Sequence, residues 1–303
     1  MQRLTFFEEE MQMKDYLGYT GKVCVVTGAA SGMGKATAEM LVDLGAMVYA
    51  LDWAEVKVEG ITAYLHTDLS KKESIDAAFA QIPDHIDCYF GIAGVSGLGT
   101  DFLTTTKIDL ISNKYISECI LTARMTEGGA IAYMTSTAGI GWEQEGNKRH
   151  YLPVVEAEGW DGAVAALEKT PLIHLPGNLG YSFSKLAMNY LVAKQQALFA
   201  ARKIRVNAVL PGSTDTGLKG DFLKLTGSEE RLLAFTGHAH RLAASEEMAM
   251  PIVFQCSNMG SYLSGDLMVV DYGSSLEVEA GIRPNAMAFT FDMILEKMAA
   301  MHK

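Results

Sequence analysis

Tyr181 and Lys185, four residues apart in the stretch YSFSKLAMNY, have the types and spacing for proton transfer. On a helix that spacing puts both side chains on one face. A free phenol has a pKa near ~10, too high for easy proton exchange at neutral pH. A nearby ammonium favours the phenolate and lowers that value. The pair therefore reads as an acid–base couple serving a substrate oxygen, with Tyr181 exchanging the proton. Tyr-x-x-x-Lys is common for purely structural reasons, but here Ser136 adds weight. It ends an apolar run in AYMTSTAGIG, and a hydroxyl there can hold the same oxygen beside Tyr181. Ligands of open parallel sheets gather at such carboxyl ends of strands.

A second constellation suits an anionic ligand. Thr27-Gly28-Ala29-Ala30-Ser31-Gly32-Met33-Gly34 joins an apolar run to a helical pattern. Glycines permit a tight turn and close approach of backbone to a pyrophosphate, and the following helix offers free N–H groups and a positive dipole end. The spacing is G-x-x-x-G-x-G rather than G-x-G-x-x-G. Gly28, Ser31, Gly32, Met33 and Gly34 are the expected cradle. Asp52, followed by Trp53, ends the next apolar run. A carboxylate there accepts hydrogen bonds from the ribose hydroxyls of a dinucleotide and repels the extra phosphate of NADP. NAD is thus the expected cofactor, while Lys35 and Lys57 leave some NADP use open. Asp68, with Leu69 beside it, is placed for the adenine edge. Ala93 and Gly94, in the GIAG of 91–94, let another strand end approach the cofactor. Pro211-Gly212, then Thr214 and Thr216, form a further strand-end loop over the nicotinamide.

Regular elements must hold these residues. Short apolar runs alternate with helical patterns, the signature of βαβ units and a parallel sheet. Strands are predicted over 22–27, 46–51, 61–66, 86–92, 130–135, 205–209 and 267–270, most of them continuous Val/Ile-rich runs suited to burial on both faces. Helices are predicted over 34–44, 71–81, 159–169 and 182–201. With no visible linker, the expectation is a single-domain, doubly wound α/β fold: a seven-stranded parallel sheet with helices on both faces. Three parts stand outside the alternation. They are an N-terminal extension (1–20), an enlarged segment (141–180), and a C-terminal helical extension (280–303) in which Met287, Phe291, Leu295, Met298 and His302 recur near helical spacing.

Taken together, these motifs resemble the short-chain dehydrogenase/reductase family over roughly 21–275. The TGxxxGxG turn, Ser136, the YxxxK pair and the PG loop occur in the family's order. The resemblance implies a Rossmann fold and hydride exchange between NAD(H) and a carbonyl or alcohol carbon. Ser136, Tyr181 and Lys185 would be catalytic, Pro211, Gly212 and Thr216 would border the nicotinamide half, and Val209 would lie beneath it. The chain departs from the pattern in three places. The family's N-N-A-G is Gly-Ile-Ala-Gly here. The Asn of the next helix has two candidate equivalents, Asp109 and Asn113. Ser136 and Tyr181 are unusually far apart. A similar enlarged segment marks the subgroup resembling bacterial 3α-hydroxysteroid dehydrogenase/carbonyl reductases and coniferyl-alcohol-type dehydrogenases, as do the phrases GNLGYSFSK and VNAVLPGSTDT.

That subgroup implies interconversion of a secondary alcohol and a ketone, with a hydroxysteroid or bile-acid-like substrate foremost. The apolar loop 218–235, carrying Phe222, Leu223, Leu225, Leu232, Leu233 and Phe235, could cover such a bulky ligand. The alternatives are an aryl or phenolic alcohol, or a nucleotide-binding regulatory protein without turnover. Family members commonly pair through the YxxxK helix, so a homodimer or homotetramer is expected, using Leu186, Tyr190 and Ala193.

Composition excludes other classes. The formal charge is −11, and Lys and Arg adjoin only in pairs. A phosphate-neutralising stripe for nucleic acid is therefore not expected. Cys24, Cys88, Cys119 and Cys256 form no C-x-x-C pair, and His150 and His174 read as loop histidines, so no metal site is expected. With 49% apolar residues the chain can build a large core, yet no stretch approaches the ~20 apolar residues of a membrane span. The start of the chain, with Glu8-Glu9-Glu10, is unlike a signal peptide. A reduced, cytoplasmic protein is the expectation.

Overall fold

The computed structural model describes residues 15–285 and 289–301. Most of the N-terminal extension, and Met287 and His302 of the tail stripe, lie outside the described residues. The chain runs β1 (Val23–Thr27), α1 (Gly32–Asp43), β2 (Met47–Asp52), β3 (Ala63–His66), α2 (Lys72–Phe79) and β4 (Ile86–Gly91). A long helical stretch follows, in which α3 (Phe102–Thr106), α4 (Ser112–Tyr115) and α5 (Thr122–Arg124) are separated by π-helical turns Lys107–Ile111 and Ile116–Leu121. Then come β5 (Met125–Met134), α6 (Glu145–Glu156), α7 (Gly159–Glu168), α8 (Gly177–Phe199) and β6 (Arg205–Pro211). The chain continues with α9 (Lys219–Thr226), α10 (Glu229–Leu233), α11 (Ser245–Cys256), β7 (Leu267–Val270), α12 (Ser274–Glu279) and α13 (Phe291–Met301).

The seven strands form one parallel sheet in the order β3-β2-β1-β4-β5-β6-β7. This is the expected α/β Rossmann-like architecture. Successive strand residues alternate between its two faces. Val23 and Val25 join the core that contains α8 and the inserted helices, whereas Cys24 and Val26 join the core under α1 and α11. The strand order reverses between β1 and β4, where ligands of such sheets bind. Among the described residues no helix is long and apolar enough to cross a membrane.

Two elements begin five residues earlier than expected. β5 starts at Met125, five residues early, because its polar start pairs with β4 across a register shift between Ile86 and Cys88. α8 starts at Gly177 rather than near 182. Its glycines are poor helix formers, but Gly177 and Gly180 pack directly against the backbone of Thr100 and Phe102, and that contact outweighs propensity.

The enlarged segment folds back onto its own chain. Tyr151, Val154, Val155, Trp160, Ala163 and Leu167 of α6 and α7 are buried in the α8 core. The tail closes over it. Phe291 is fully buried, with its ring 5.8 Å from Phe183 and its N–H donating to Asn147 Oδ1 at 3.0 Å. Asp292 pairs with Arg149 and with His150 Nε2 at 2.8 Å. Ile294 and Leu295 also pack on the core, while Met298 and Met301 stay exposed.

Because Phe291 anchors α13, Phe291→Ala is expected to cost about 3 kcal/mol of stability, the usual loss for a buried phenylalanine. Urea unfolding measures this, and a chain ending at residue 285 should show at least the same loss. Equal midpoints for wild type and both variants would show that the tail is not docked.

Candidate active site

The site is built at the carboxyl edge of the sheet. Thr27, the last residue of β1, accepts hydrogen bonds at its hydroxyl from the N–H groups of Ile92 (3.0 Å) and Ala93 (3.2 Å). This fixes the GIAG strand end against the glycine turn. Gly28 has φ +74°, and a Cβ there would lie 2.7 Å from Ala93 Cα, so only glycine fits. Ser31 stands at the N-cap of α1 but its hydroxyl does not cap the helix. The first N–H groups of α1 therefore remain open to an anion, as a diphosphate cradle requires.

Asp52 accepts from Ala30 N–H at 3.0 Å and from Ala54 N–H at 2.9 Å, which ties the end of β2 to the glycine turn. Trp53 beside it is 78% exposed, an open ring face at the edge of the cleft. Asp68 is committed to its own turn: its carboxylate accepts from Ser70 and pairs with Lys71 at 2.8 Å. These partners hold its pKa below the usual carboxylate value against the effect of burial. Leu69 is buried. Across the cleft, Gly212 N–H donates to Val270 O at 3.0 Å, and the Thr214 hydroxyl donates to Gly212 O at 3.0 Å. Thr216 lies against Gly32, and Val209 is fully buried below. The glycine turn and the PG loop thus face one another.

Ser136, Tyr181 and Lys185 converge. Ser136 follows β5 and caps the short turn Thr137–Gly139, accepting from Ala138 N–H at 3.1 Å. That turn lies flat on α8. A Cβ on Gly139 would come within 2.5 Å of Lys185 O, and Gly139 O accepts from Asn189 Nδ2 at 2.9 Å. The Ser136 hydroxyl is near enough to the Tyr181 phenol to oppose the rise of its pKa. Lys185 is buried, donates to Met134 O at 3.0 Å, and sits over the Tyr181 ring with its Nζ 5.4 Å from the centroid.

The lowered Tyr181 phenol pKa expected from the spacing is outweighed by burial. Burial raises it to about 12, with Ser136 opposing and Asp109 adding to the rise. Burial likewise lowers the Lys185 pKa, and Asp109 opposes that fall.

The two candidates for the family asparagine now separate. Asn113 accepts from the Tyr89 hydroxyl at 2.9 Å and lies against Gly91, away from the reacting groups. Asp109, one turn earlier in a π-helical turn, accepts from Val95 N–H at 2.8 Å and acts electrostatically on Lys185 and Tyr181. The two are a helical turn apart on one face, so sequence spacing could not rank them.

The mouth carries a lid. Phe222 on α9 meets Tyr181 edge to face, ring centroids 5.8 Å apart. Asp221 beside it accepts from the Ser96 hydroxyl at 2.6 Å, which fastens the lid to the loop after β4. Of the other apolar lid residues, Leu232 is buried while Leu225 and Phe235 are exposed. His150 serves the tail contact and His174 is exposed on a loop. On α8, Leu186 is buried and Tyr190 is spent on Trp142, Tyr151 and Glu156 of the same chain, so of the expected pairing side Ala193 alone stays exposed.

A doubly wound sheet with this convergence at its carboxyl edge defines a dinucleotide-type oxidoreductase site, and comparison with known proteins agrees. Residues 22–145 match the family model for short chain dehydrogenases, and residues 148–275 match one described as enoyl-(acyl carrier protein) reductase. The chain belongs to the short-chain dehydrogenase/reductase family, whose members are oxidoreductases acting on alcohols and ketones with nicotinamide cofactors. It is 30% identical to a coniferyl-alcohol dehydrogenase of Pseudomonas sp. (strain HR199), over 84% of this chain and 96% of that one. It is 27% identical to a 3-alpha-hydroxysteroid dehydrogenase/carbonyl reductase of Comamonas testosteroni, over 86% and 98%. A solved short-chain type dehydrogenase/reductase from Mycobacterium marinum shares the fold, with TM-score 0.65, 20% identity, and 86% and 98% of the chains covered.

Gly139→Ala tests the seating of the Ser136 turn on α8. The added Cβ must push the turn off Lys185 O, and a displacement near ~1 Å at reacting groups costs roughly a hundredfold in rate. The expected result is a fall in kcat of that order with the secondary-structure spectrum retained. A wild-type kcat would show that the turn has room to spare.

Proposed function

We propose that this chain interconverts a secondary alcohol and a ketone on a bulky, flat, apolar molecule of hydroxysteroid type, using NAD(H). The observation that carries this reading is the convergence of the Ser136 and Tyr181 hydroxyls over Lys185, under an aromatic lid.

In the reducing direction the Ser136 and Tyr181 hydroxyls both donate to the substrate carbonyl oxygen and polarise it. A nicotinamide cofactor held by the Gly28–Gly34 turn and the Pro211–Gly212 loop would supply the hydride for the carbonyl carbon. Tyr181 gives its proton to the oxygen as the alkoxide develops. With its phenol at about 12, Tyr181 is protonated at neutral pH and ready to act as the acid. Oxidation runs the same steps backwards: Tyr181 takes the hydroxyl proton while Ser136 holds the oxygen in place. Lys185, against the ring, favours the phenolate while that charge exists. The Phe222 ring against Tyr181 offers a face on which a flat substrate can lie.

Asp52 supports NAD(H) over NADP(H). Its carboxylate would repel a phosphate on the adenosine ribose. The neighbouring cations are already paired, Lys35 with Glu39 at 3.4 Å and Lys57 with Glu55 at 3.5 Å. A second reading, an aryl or phenolic alcohol as substrate, draws support from the likeness to a coniferyl-alcohol dehydrogenase and from the Phe222 ring beside Tyr181.

The test is a panel of androsterone, a bile acid and coniferyl alcohol, each with NAD and NADP, with the reverse reaction on the matching carbonyl compounds. Turnover is expected on a steroid with NAD preferred. No turnover on any member would return the chain to nucleotide binding without catalysis, and a clear preference for NADP would remove the role given to Asp52. Tyr181→Phe should lower kcat by about 10²–10⁴-fold, the worth of a general acid–base group, while NADH binding by fluorescence titration stays intact. Asp52→Ala should narrow the preference for NAD. A Tyr181→Phe enzyme with wild-type turnover would rule out the assigned chemistry.

A further inference from the structure

Among the described residues, Asp109 is the buried ionisable group beside the reacting residues that the chemistry above leaves unused. It is 1% exposed. One carboxylate oxygen, Oδ1, accepts from Val95 N–H at 2.8 Å; the other, Oδ2, is buried with no hydrogen-bond partner among the described residues. A carboxylate so placed is costly unless a cation compensates it. Lys185 is that cation. The position a Cβ on Gly94 would take is 3.5 Å from Asp109 Oδ1 and 3.6 Å from Lys185 Nζ. The two charges therefore face each other across Gly94, no more than about 7 Å apart, and a Coulomb interaction over that distance is substantial in a buried site.

We propose that Asp109 is a positioning residue: its carboxylate is the buried counter-charge of Lys185, and by holding Lys185 as an ammonium it sets the protonation state that Tyr181 offers to the substrate oxygen. The proposal rests on the alcohol–ketone reading for its effect on rate, but not for the charge pairing itself. Where the resembled family has a neutral asparagine, this chain would carry a group that titrates.

The groups acting on Asp109 are few. From α8 they are Lys185 and, reciprocally, Tyr181. From α7, which packs on the same π-helical turn, Asp161 and Glu168 are exposed and turned to solvent. On its own helical stretch Lys107 is half-exposed, and Lys114 is paired with Glu118 at 2.6 Å. Burial raises the Asp109 carboxyl to about 7, with Lys185 and the Val95 N–H opposing. The folded protein thus holds a proton there that the unfolded chain releases near its ordinary value of 3.8. A carboxyl raised in this way makes the protein less stable as pH climbs from about 4 to about 7.

Two measurements on the full chain test the proposal. The first needs no substrate. The melting temperatures of wild type and Asp109→Asn are compared from pH 4 to pH 8. Asn keeps an acceptor for Val95 N–H and removes only the charge, so the variant should gain on wild type as pH rises towards about 7 and then level off. In a Lys185→Met background the gain should be larger and extend to higher pH, since Asp109 has lost its cation. The second follows kcat/KM for the best alcohol of the panel against pH. Wild type should show an inflection near 7 that Asp109→Asn lacks, with its alkaline fall moved to lower pH because Lys185 loses its ammonium sooner. Asp109→Ala, which also drops the Val95 bond, separates loss of charge from loss of the turn. A stability difference that is flat with pH, or one that is the same in both Lys185 backgrounds, would overturn the pairing. An Asn variant slowed equally at every pH with the inflection retained would reduce Asp109 to a structural role. If no alcohol is turned over, the functional reading fails and the melting series still decides the charge pair.

Discussion

The constraint on which the site depends is the burial of the Lys185 ammonium. Taking such a charge out of water costs several kcal/mol unless nearby groups compensate it. Three do so here. The carbonyl of Met134 accepts its hydrogen bond, the face of Tyr181 lies 5.4 Å away, and the carboxylate of Asp109 faces it. Each places a part of the machinery. Because Met134 is the acceptor, the end of β5 lies under Lys185, and Ser136, two residues on, comes to the substrate side. Because the tyrosine ring is the second partner, Tyr181 stands one helical turn before the lysine on the same face of α8. Because Asp109 is the third, the π-helical turn Lys107–Ile111 of the stretch after β4 lies against α8.

The same economy of space governs the cofactor side. Strand ends, helix starts and loops crowd the carboxyl edge of the sheet, and bare α-carbons make that possible. Gly28 admits Ala93, and Gly139 admits the Lys185 carbonyl. The crowding matters because backbone N–H groups and a buried ammonium act strongly only where water is excluded. On the solvent side the lid lies over Tyr181, with Phe222 against its ring and Asp221 fastened to Ser96.

The sequence was most informative where chemistry and burial coincide. All seven strands were legible, most of them as continuous apolar runs, and the glycine turn, Ser136 and the Tyr181–Lys185 pair could be named because their spacings follow from elements that sequence patterns reveal. Other features depend on contacts between distant segments and leave no local mark. The early start of β5 reads as the polar stretch TEGG. The first turn of α8 reads as a glycine-rich loop, and only its packing on Phe102 makes it helical. α6 carries an internal proline and a polar surface that hide it. The choice between Asp109 and Asn113 turned on which of two helical turns reaches the lysine. The direction of the Tyr181 shift turned on burial, which a spacing of four residues does not fix.

The enlarged segment and the tail act on the site through α8. Tyr190 lies nine residues after Tyr181, and Lys194 nine after Lys185; that interval is about two and a half helical turns, which puts each on the opposite side of the helix from its catalytic counterpart. Tyr190 donates to Glu156 at 2.9 Å and packs its ring on Trp142 and Tyr151; Lys194 donates to Val155 O at 2.8 Å. The inner side of the helix is held by Met134 and the Gly139 turn. Gripped on both sides, α8 is prevented from rolling about its axis, and such a roll would swing the Tyr181 hydroxyl away from Ser136. Phe183, two residues after Tyr181, is pinned in turn by Phe291 of the tail. A segment that lengthens the path from Ser136 to Tyr181 therefore tightens the geometry between them, because the added chain returns to brace the helix that carries the tyrosine.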